Sequence, residues 1–201
     1  MISALLFTAL VAAVALERLY ELRRAGRNAA AALARGGWET GQRHYKVMQL
    51  LHTTFLVAMP LEVWLLDRPF VPALGVTMAV LVAGTMASRY WIVHTLGERW
   101  NTRIIVVPGW TPATDGPYRY LRHPNYLIVV VELAALPLVH TAYLTAALFS
   151  AANLALLWVR IRAEEAALTQ WPQYVAAMAD KPRFVPTAAA PPAAPRERSR
   201  P

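Results

Sequence analysis

The sequence contains no cysteine, which excludes disulfides, thiolate nucleophiles, cysteine-ligated metals and palmitoylation. It is also poor in charge, since 16% of its 201 residues are Asp, Glu, Lys or Arg, whereas a soluble domain usually has about 25%. It has no P-loop, no glycine-rich dinucleotide fingerprint, no nucleophile elbow and no His/Asp/Glu spacing typical of a metal site. Any cofactor must therefore bind through another architecture.

What the chain does have is long apolar stretches, with 57% hydrophobic residues overall. Five stretches can cross a hydrocarbon core about 30 Å thick, which needs roughly 20 helical residues. We place the spans near residues 2–20, 46–66, 70–94, 122–139 and 141–161. The fourth is short and contains Glu132 and Pro137, and it is joined to the fifth only through Val139-His140-Thr141, which predicts a tight antiparallel hairpin.

These spans predict an all-α integral membrane protein with about five transmembrane helices and a C-terminal helical hairpin. Residues 1–185 form a single domain in this interpretation. Residues 186–201 are rich in Pro, Ala and Arg with little to bury, so we predict a disordered tail. The first apolar stretch lacks a basic start and is followed directly by Glu17 and Arg18, so we expect a retained helix and not a signal peptide.

The basic residues predict the orientation. A net charge of +8 would suggest nucleic acid in a soluble protein. Here the basic residues border apolar runs, so we expect membrane lipids with anionic headgroups, and no nucleic acid, as partners. The connections after spans one and three and the segment after span five hold most arginines and lysines, whereas the opposite connections hold only Arg68. The positive-inside rule therefore puts the amino terminus outside and the carboxyl terminus in the cytoplasm.

One connection is too polar for lipid. Residues 95–121 are rich in Gly and Pro, and unpaired backbone groups are costly inside a bilayer. Within this connection, the run from Ile104 to Val107 followed by Pro108 and Gly109 predicts a short extended piece that ends in a turn.

A first polar cluster lies where span four must begin, at Arg122-His123-Pro124-Asn125-Tyr126. Proline in a first helical turn costs no hydrogen bond, because that amide would be unpaired anyway. A helix start also presents free amides and partial positive charge, which suit an anionic group such as a carboxylate. The alternative is a basic interfacial anchor with an aromatic belt, in which His123 only caps the helix.

A second cluster, Arg160 with Glu164 and Glu165, lies where span five ends. Arg160 and Glu164 are four residues apart and share a helical face. Paired carboxylates beside an arginine suit a cationic or amine-bearing ligand. The alternative is a solvated helix end, with Arg160 extending to the lipid headgroups.

Glu132 lies near the middle of span four, where an ionised side chain costs about 2.5–3.5 kcal/mol or more. We therefore expect it to face the protein interior, either paired or protonated. Arg89, Glu62 and Asn153 are candidate partners on the other spans. A functional carboxylate and a structural polar pair both remain open.

Taken together, these residues resemble the isoprenylcysteine carboxyl methyltransferase family of membrane enzymes, which use S-adenosylmethionine. The resemblance runs from about residue 89 to 171 and rests on two motifs in the same order and separation, residues 116–126 and then Arg160 with Glu164 and Glu165. Residues 89–100 further resemble the bacterial branch often associated with type III polyketide synthases. Members of that branch methylate long-chain polyketide phenols or pyrones.

The resemblance implies a cytoplasmic cofactor pocket, closed by the third connection and the carboxyl-terminal helix, with a lipid-side tunnel for the acceptor. It implies that S-adenosyl-L-methionine is held by Arg122, His123, Pro124, Tyr126 and Glu165. Arg160, Glu164 and Glu132 are the catalytic candidates, with Glu164 the first choice of base and Glu132 the second. Many members have glycine two residues after the motif tyrosine, where this chain has Ile128.

We therefore expect a methyltransferase of the bacterial inner membrane that acts on the oxygen of a lipophilic acceptor, either a carboxylate or a phenol or pyrone hydroxyl. Alkylresorcinol, alkylpyrone, prenylcysteine and phospholipid acceptors all remain open, as does the oligomeric state. Two other functions also remain. The Arg122–Tyr126 string is similar to the cofactor region of the longer, NADPH-dependent membrane sterol reductases, and a non-catalytic membrane scaffold needs no such motifs.

Overall fold

The computed structural model describes residues 1–185, and helices account for most of them. In chain order the elements are α1 (Ile2–Ala34), β1 (Trp38–Thr40), α2 (Gln42–Leu65), α3 (Pro72–Leu96), β2 (Ile104–Val106), α4 (Pro124–Leu138), α5 (Tyr143–Leu168) and α6 (Pro172–Met178). The predicted class, an all-α integral membrane protein, is confirmed. Residues 186–201, for which we predicted a disordered tail, lie outside the described residues.

Four of the helices, α1, α2, α3 and α5, are long and apolar enough to cross a membrane. They correspond to predicted spans one, two, three and five. Helix α4 has only 15 residues, and at 1.5 Å per residue it is about 22 Å long, shorter than a hydrocarbon core of about 30 Å. Its start at Pro124 and the turn after Leu138 set this length. A count of five complete spans therefore stays a prediction, with α4 as the short one.

Helix α1 continues well beyond the predicted span, from Ile2 to Ala34. Its 33 residues give it a length of about 50 Å. The second half packs against the connection between α3 and α4, because Ala25 lies in an apolar cluster with Ile92 and Trp100. The Asn28 side-chain amide also donates to the Trp100 carbonyl at 2.8 Å. The extension of α1 thus supports the polar connection that the sequence placed outside lipid.

A two-stranded antiparallel sheet joins this connection to the one between α1 and α2, with Trp38 opposite Val106. The extended piece predicted at residues 104–107 is confirmed as β2. Its partner β1 was not predicted, because three residues carry no readable alternation. Gly37 permits the close approach here, since a Cβ atom at this position would lie 2.7 Å from the Ala32 carbonyl oxygen.

The predicted hairpin of α4 and α5 is confirmed. The chain reverses over residues 139–142, where Thr141 has a φ of +55° and the Ala142 amide donates to the Pro137 carbonyl at 3.0 Å. Glu62 of α2 holds the start of α5, because its carboxylate accepts from the backbone amide of Thr145 at 2.7 Å. The hairpin therefore has a fixed position against the other helices, and its open end carries both polar motifs.

Candidate functional site

A cavity of about 630 Å³ lies among the helices, within the range of roughly 300–1,000 Å³ that small-molecule sites occupy. One end is polar and aromatic, with Arg122 and Trp171 in its wall, and the other is apolar, with Val14 and Phe55. The connection between α3 and α4 lines it through residues 99–107 and 110–113. The cavity therefore touches both motifs and the apolar interior of the helix bundle.

The two motifs meet at Tyr126. The phenol hydroxyl donates to the Glu164 carboxylate, and the Arg160 Nε donates to the phenol oxygen at 2.9 Å. Arg160 is buried, and its Nη2 also donates to the Thr102 carbonyl of the overlying connection at 2.6 Å. Arg160 and Glu164 thus share a helical face, as their spacing predicts, and the motif tyrosine connects them.

His123 and Glu165 form a second link between the motifs, with His123 Nε2 3.1 Å from Glu165 Oε1. Arg183 Nη2 also donates to Glu165, at 2.5 Å, and Arg122 Nη1 lies 3.4 Å from it. Glu165 does not itself line the cavity. Its bonds to these residues stabilise the cavity wall from the side that faces away from the cavity. The interpretation of His123 as a mere helix cap is wrong, because its side chain makes no capping bond.

The segment after α6 closes over the start of α4. The backbone amides of Arg122 and His123 donate to the carbonyls of Pro182 and Arg183 at 2.9 and 3.2 Å. Phe184 packs against the His123 ring, with 6.4 Å between the ring centroids. The segment after α6 therefore covers this end of the site, whereas α6, the carboxyl-terminal helix that the resemblance implied would close the pocket, lines the cavity through Tyr174 and Met178.

Two tyrosines in the cavity wall stay protonated at neutral pH. Burial, together with the nearby carboxylates Glu164 and Glu165, raises the pKa of Tyr174 to about 12. Burial, with Glu164 again nearby, also raises the pKa of Tyr118 well above its ordinary value. Both hydroxyls can therefore donate hydrogen bonds, but neither is suited to accept a proton as a general base.

Pro124 and Ile128 shape α4 without lining the cavity. Pro124 occupies the first helical position and is buried. Ile128 lies in the apolar cluster with Ala25, Ile92 and Trp100. The bulky residue at the position where many family members have glycine therefore faces α1 and α3, and it does not narrow this site.

Glu132 lies deeper in the same cavity and is paired as predicted. Its two carboxylate oxygens accept from Arg18 Nη2 at 2.8 Å and from Arg89 Nη2 at 2.6 Å. The partner prediction is confirmed for Arg89 and wrong for the other two candidates. Glu62 binds the start of α5, and the side-chain amide of Asn153 has no hydrogen-bond partner among residues 1–185.

Six of the eight predicted site residues line the cavity: Arg122, His123, Tyr126, Glu132, Arg160 and Glu164. Sequence reasoning missed further wall residues, namely Arg18, Glu21, Thr102, Tyr118, Trp171, Tyr174 and Met178. A signal existed for the first two, because charges inside an apolar helix are costly and need a function or a partner. In the sequence, Arg18 is instead a basic flank of the first apolar stretch, and Glu21 lies just beyond the predicted span one.

Comparison with known proteins identifies a family and relatives to which this chain is similar. The isoprenylcysteine carboxyl methyltransferase (ICMT) family matches residues 76–170, which include both motifs. The uncharacterized protein YpbQ of Bacillus subtilis (strain 168) is 37% identical over 167 residues, which cover 83% of this chain and 98% of that protein. An uncharacterized protein of Haemophilus influenzae is 28% identical over 153 residues, or 76% of this chain and 88% of that protein. The chain therefore belongs to the ICMT family, whose members are membrane methyltransferases that act on lipophilic substrates.

Proposed function

We propose that this protein transfers a methyl group from S-adenosylmethionine to an oxygen atom of a lipophilic acceptor, at the cytoplasmic end of a bacterial inner membrane. The observation that carries the proposal is the meeting of two distant motifs at one cavity wall, where the Tyr126 hydroxyl binds both Arg160 and Glu164. Neither a scaffold nor a helix anchored at the interface needs this convergence.

The polar end of the cavity fits the cofactor's chemistry. Buried nitrogen atoms of Arg122, Arg160 and Trp171 have no hydrogen-bond partner among residues 1–185, and all three residues line the cavity. Such donors suit the carboxylate and the ring nitrogens of S-adenosylmethionine. The Glu164 carboxylate in the same wall suits its positive charges. We therefore assign cofactor binding to this end, with His123 and Tyr126 packed beside it and Glu165 and Pro124 holding the wall in place.

The apolar end fits a lipid chain. Leu19, Leu22 and Val57 line the cavity and are also 54%, 40% and 54% exposed. The cavity therefore reaches the outer surface of α1 and α2, where apolar side chains would face lipid. This supports entry of the acceptor from the bilayer and of the cofactor from the water-facing end.

The chain's own residues have two tasks. When bound, the cofactor supplies a methyl group already activated by its positive sulfur. Arg160, held by Thr102 and Tyr126, fixes the wall against which an oxygen nucleophile is aligned, and alignment of this kind contributes about 7–11 kcal/mol to a reaction. A carboxylate acceptor needs no base, but a phenol with a pKa near 10 must give up its proton.

We propose that Glu164 accepts the proton of a phenol acceptor. Its carboxylate is at the wall beside Tyr126, whereas both oxygens of Glu132 are already bound by arginines. A carboxylate engaged by two guanidinium groups is stabilised in its ionised form and is therefore a weak base. Glu132, the second candidate from the sequence, is thus better suited to binding than to proton transfer.

The test incubates purified protein with isotopically labelled S-adenosylmethionine and a membrane lipid extract and identifies labelled lipids by mass spectrometry. We expect a methyl ether or ester as the product. Formation of a methyl ether, which needs the base, should be lost in a folded Glu164→Gln variant. Thermal stabilisation by NADPH but not by S-adenosylmethionine would instead indicate a reductase. Stabilisation by neither compound, with no labelled product, would indicate a scaffold.

A further inference from the structure

A buried ionic cluster in the cavity wall has no part in the reaction described above. It comprises Arg18 and Glu21 of α1, Arg89 of α3 and Glu132 of α4, and all four residues line the cavity. Glu132 follows Tyr126 by six residues, so it lies about 9 Å further along α4. The cluster is therefore a second polar site, separate from the one where the motifs meet.

Two hydrogen-bonding atoms of this cluster lack partners. Glu21 and Arg89 are 93% and 94% buried, the complements of exposures of 7% and 6%. Glu21 Oε1 accepts no bond and Arg89 Nε donates none among residues 1–185. The two groups are neighbours, because Arg89 Nη1 lies 3.8 Å from Glu21 Oε2. One buried acceptor and one buried donor thus lie on neighbouring side chains of the cavity wall, and each is costly to leave unpaired.

We propose that this cluster binds a hydroxyl group of the acceptor that is not itself methylated. A hydroxyl complements both free atoms, because it donates to Glu21 Oε1 and accepts from Arg89 Nε. A carboxylate group on the ligand cannot donate a hydrogen bond and is repelled by Glu21 and Glu132. An ammonium group on the ligand cannot accept a hydrogen bond and is repelled by Arg18 and Arg89. This inference rests on the proposed function and narrows the acceptor to lipids whose head group carries a second, neutral hydroxyl.

The cluster also connects α1 to the rest of the site, since Arg18 of α1 binds Glu132 of α4. A test must therefore spare this connection. Glu21→Met removes the free acceptor at similar size, together with the bond from Arg18 Nη1 to Glu21 Oε2, and leaves both arginine bonds to Glu132 in place. Glu21→Gln retains an acceptor oxygen, and Arg89→Lys retains the charge while removing the Nε donor. Glu62→Gln is the control, because Glu62 is also buried and paired with an arginine, Arg68, but does not line the cavity.

The experiment measures dissociation constants for two amphiphiles with the same alkyl chain, a 3-alkylphenol and a 5-alkylresorcinol, by calorimetry on protein in lipid nanodiscs. We expect the wild type to bind the two-hydroxyl compound about 10- to 100-fold more tightly, as hydrogen bonds to charged groups imply. Glu21→Met should abolish this preference, Glu21→Gln should restore part of it, and Glu62→Gln should leave it unchanged. Thermal melting identifies the variants that fold. If Glu21→Met does not fold, the binding preference is measured on Arg89→Lys, which should also lose it.

Equal binding of the two compounds by the wild type, or binding of neither, would overturn the inference. A preference that persists in the folded Glu21 and Arg89 variants would overturn it as well. Methyl transfer from labelled S-adenosylmethionine to the 3-alkylphenol is measured separately. If the 3-alkylphenol is not methylated but the binding preference for the 5-alkylresorcinol is intact, the result contradicts the proposed function alone. If methyl transfer occurs but the two compounds bind equally, the result contradicts the second hydroxyl site alone.

Discussion

At the residue scale, the site depends on side chains that each make several contacts. The Tyr126 hydroxyl accepts from Arg160 and donates to Glu164. Arg160 in turn binds the connection above it through the Thr102 carbonyl. Removal of one polar atom here therefore affects α4, α5 and the connection together, and effects on this group should not be additive.

Tyr126→Phe tests this linkage. The variant keeps the ring that stacks on His123 but leaves Glu164 and Arg160 without their shared partner. We expect kcat for methyl transfer to fall about 10- to 100-fold, as the loss of a hydrogen bond to charged groups implies. Tyr120→Phe is the matched control, because Tyr120 is 56% exposed. Equal losses in the two variants, or none in either, would contradict the role assigned to Tyr126.

Much of the site was predictable from the sequence because the residues that meet are clustered along the chain. Arg122, His123 and Tyr126 fall within five positions, and Arg160 and Glu164 are one helical turn apart. The wall residues Thr102 and Tyr118 were not predictable. They reach the cavity only because an irregular connection folds over it, and no periodic pattern describes such a segment.

At the element scale, the packing of α3 against the α4–α5 turn fixes the hairpin. A Cβ atom on Gly75 would lie 2.8 Å from the Val139 carbonyl oxygen and 2.4 Å from the Phe70 ring. The first of these contacts is with backbone, so it cannot be relieved by a side-chain rotation. The start of α3 therefore approaches this turn as closely as glycine allows.

We expect Gly75→Ala to destabilise the protein by about 1–3 kcal/mol, the usual cost of excess volume in a packed interior. Gly84→Ala, on the same helix, is the control, because a Cβ atom there meets nothing within 4 Å. That variant should be neutral or more stable by up to about 1 kcal/mol, since alanine favours helix. Thermal melting in detergent measures both, and similar melting temperatures for the two variants would contradict the close packing at Gly75.

The elements themselves were predictable in proportion to their length. The bounds of α2, α3 and α5 lie within a few residues of the predicted spans at most ends, because long apolar runs carry a strong signal. The second half of α1 was missed, since Arg23, Arg24 and Arg27 end the apolar run without ending the helix. Arginine has a high helix propensity, so charge marks the membrane boundary and says little about where the helix stops.

At the scale of the whole molecule, the orientation in the membrane connects the site to its substrates. The amino terminus is proposed to lie outside, which puts the polar end of the cavity on the cytoplasmic side. The lack of cysteine makes this testable without background labelling. Single cysteines replace Val71, at the start of α3, and Thr114, in the connection before α4.

In intact cells, a membrane-impermeant maleimide should label Val71→Cys at once and Thr114→Cys only after the membrane is permeabilised. Both positions are exposed, so a difference in labelling would reflect the side of the membrane and not burial. The reverse pattern would put the cofactor end outside the cell, where S-adenosylmethionine is not supplied by the cytosol. The proposed function would then lose its source of cofactor.

The central claim is that both motifs bind one molecule of S-adenosylmethionine in a single cavity. Ultraviolet cross-linking of the isotopically labelled cofactor to purified protein, followed by peptide mapping, tests this claim most directly. We predict labels on peptides that contain residues 118–126 and 160–178, and their loss when unlabelled S-adenosylmethionine is added in excess. Labels elsewhere on the chain, or labels that excess cofactor does not displace, would contradict it.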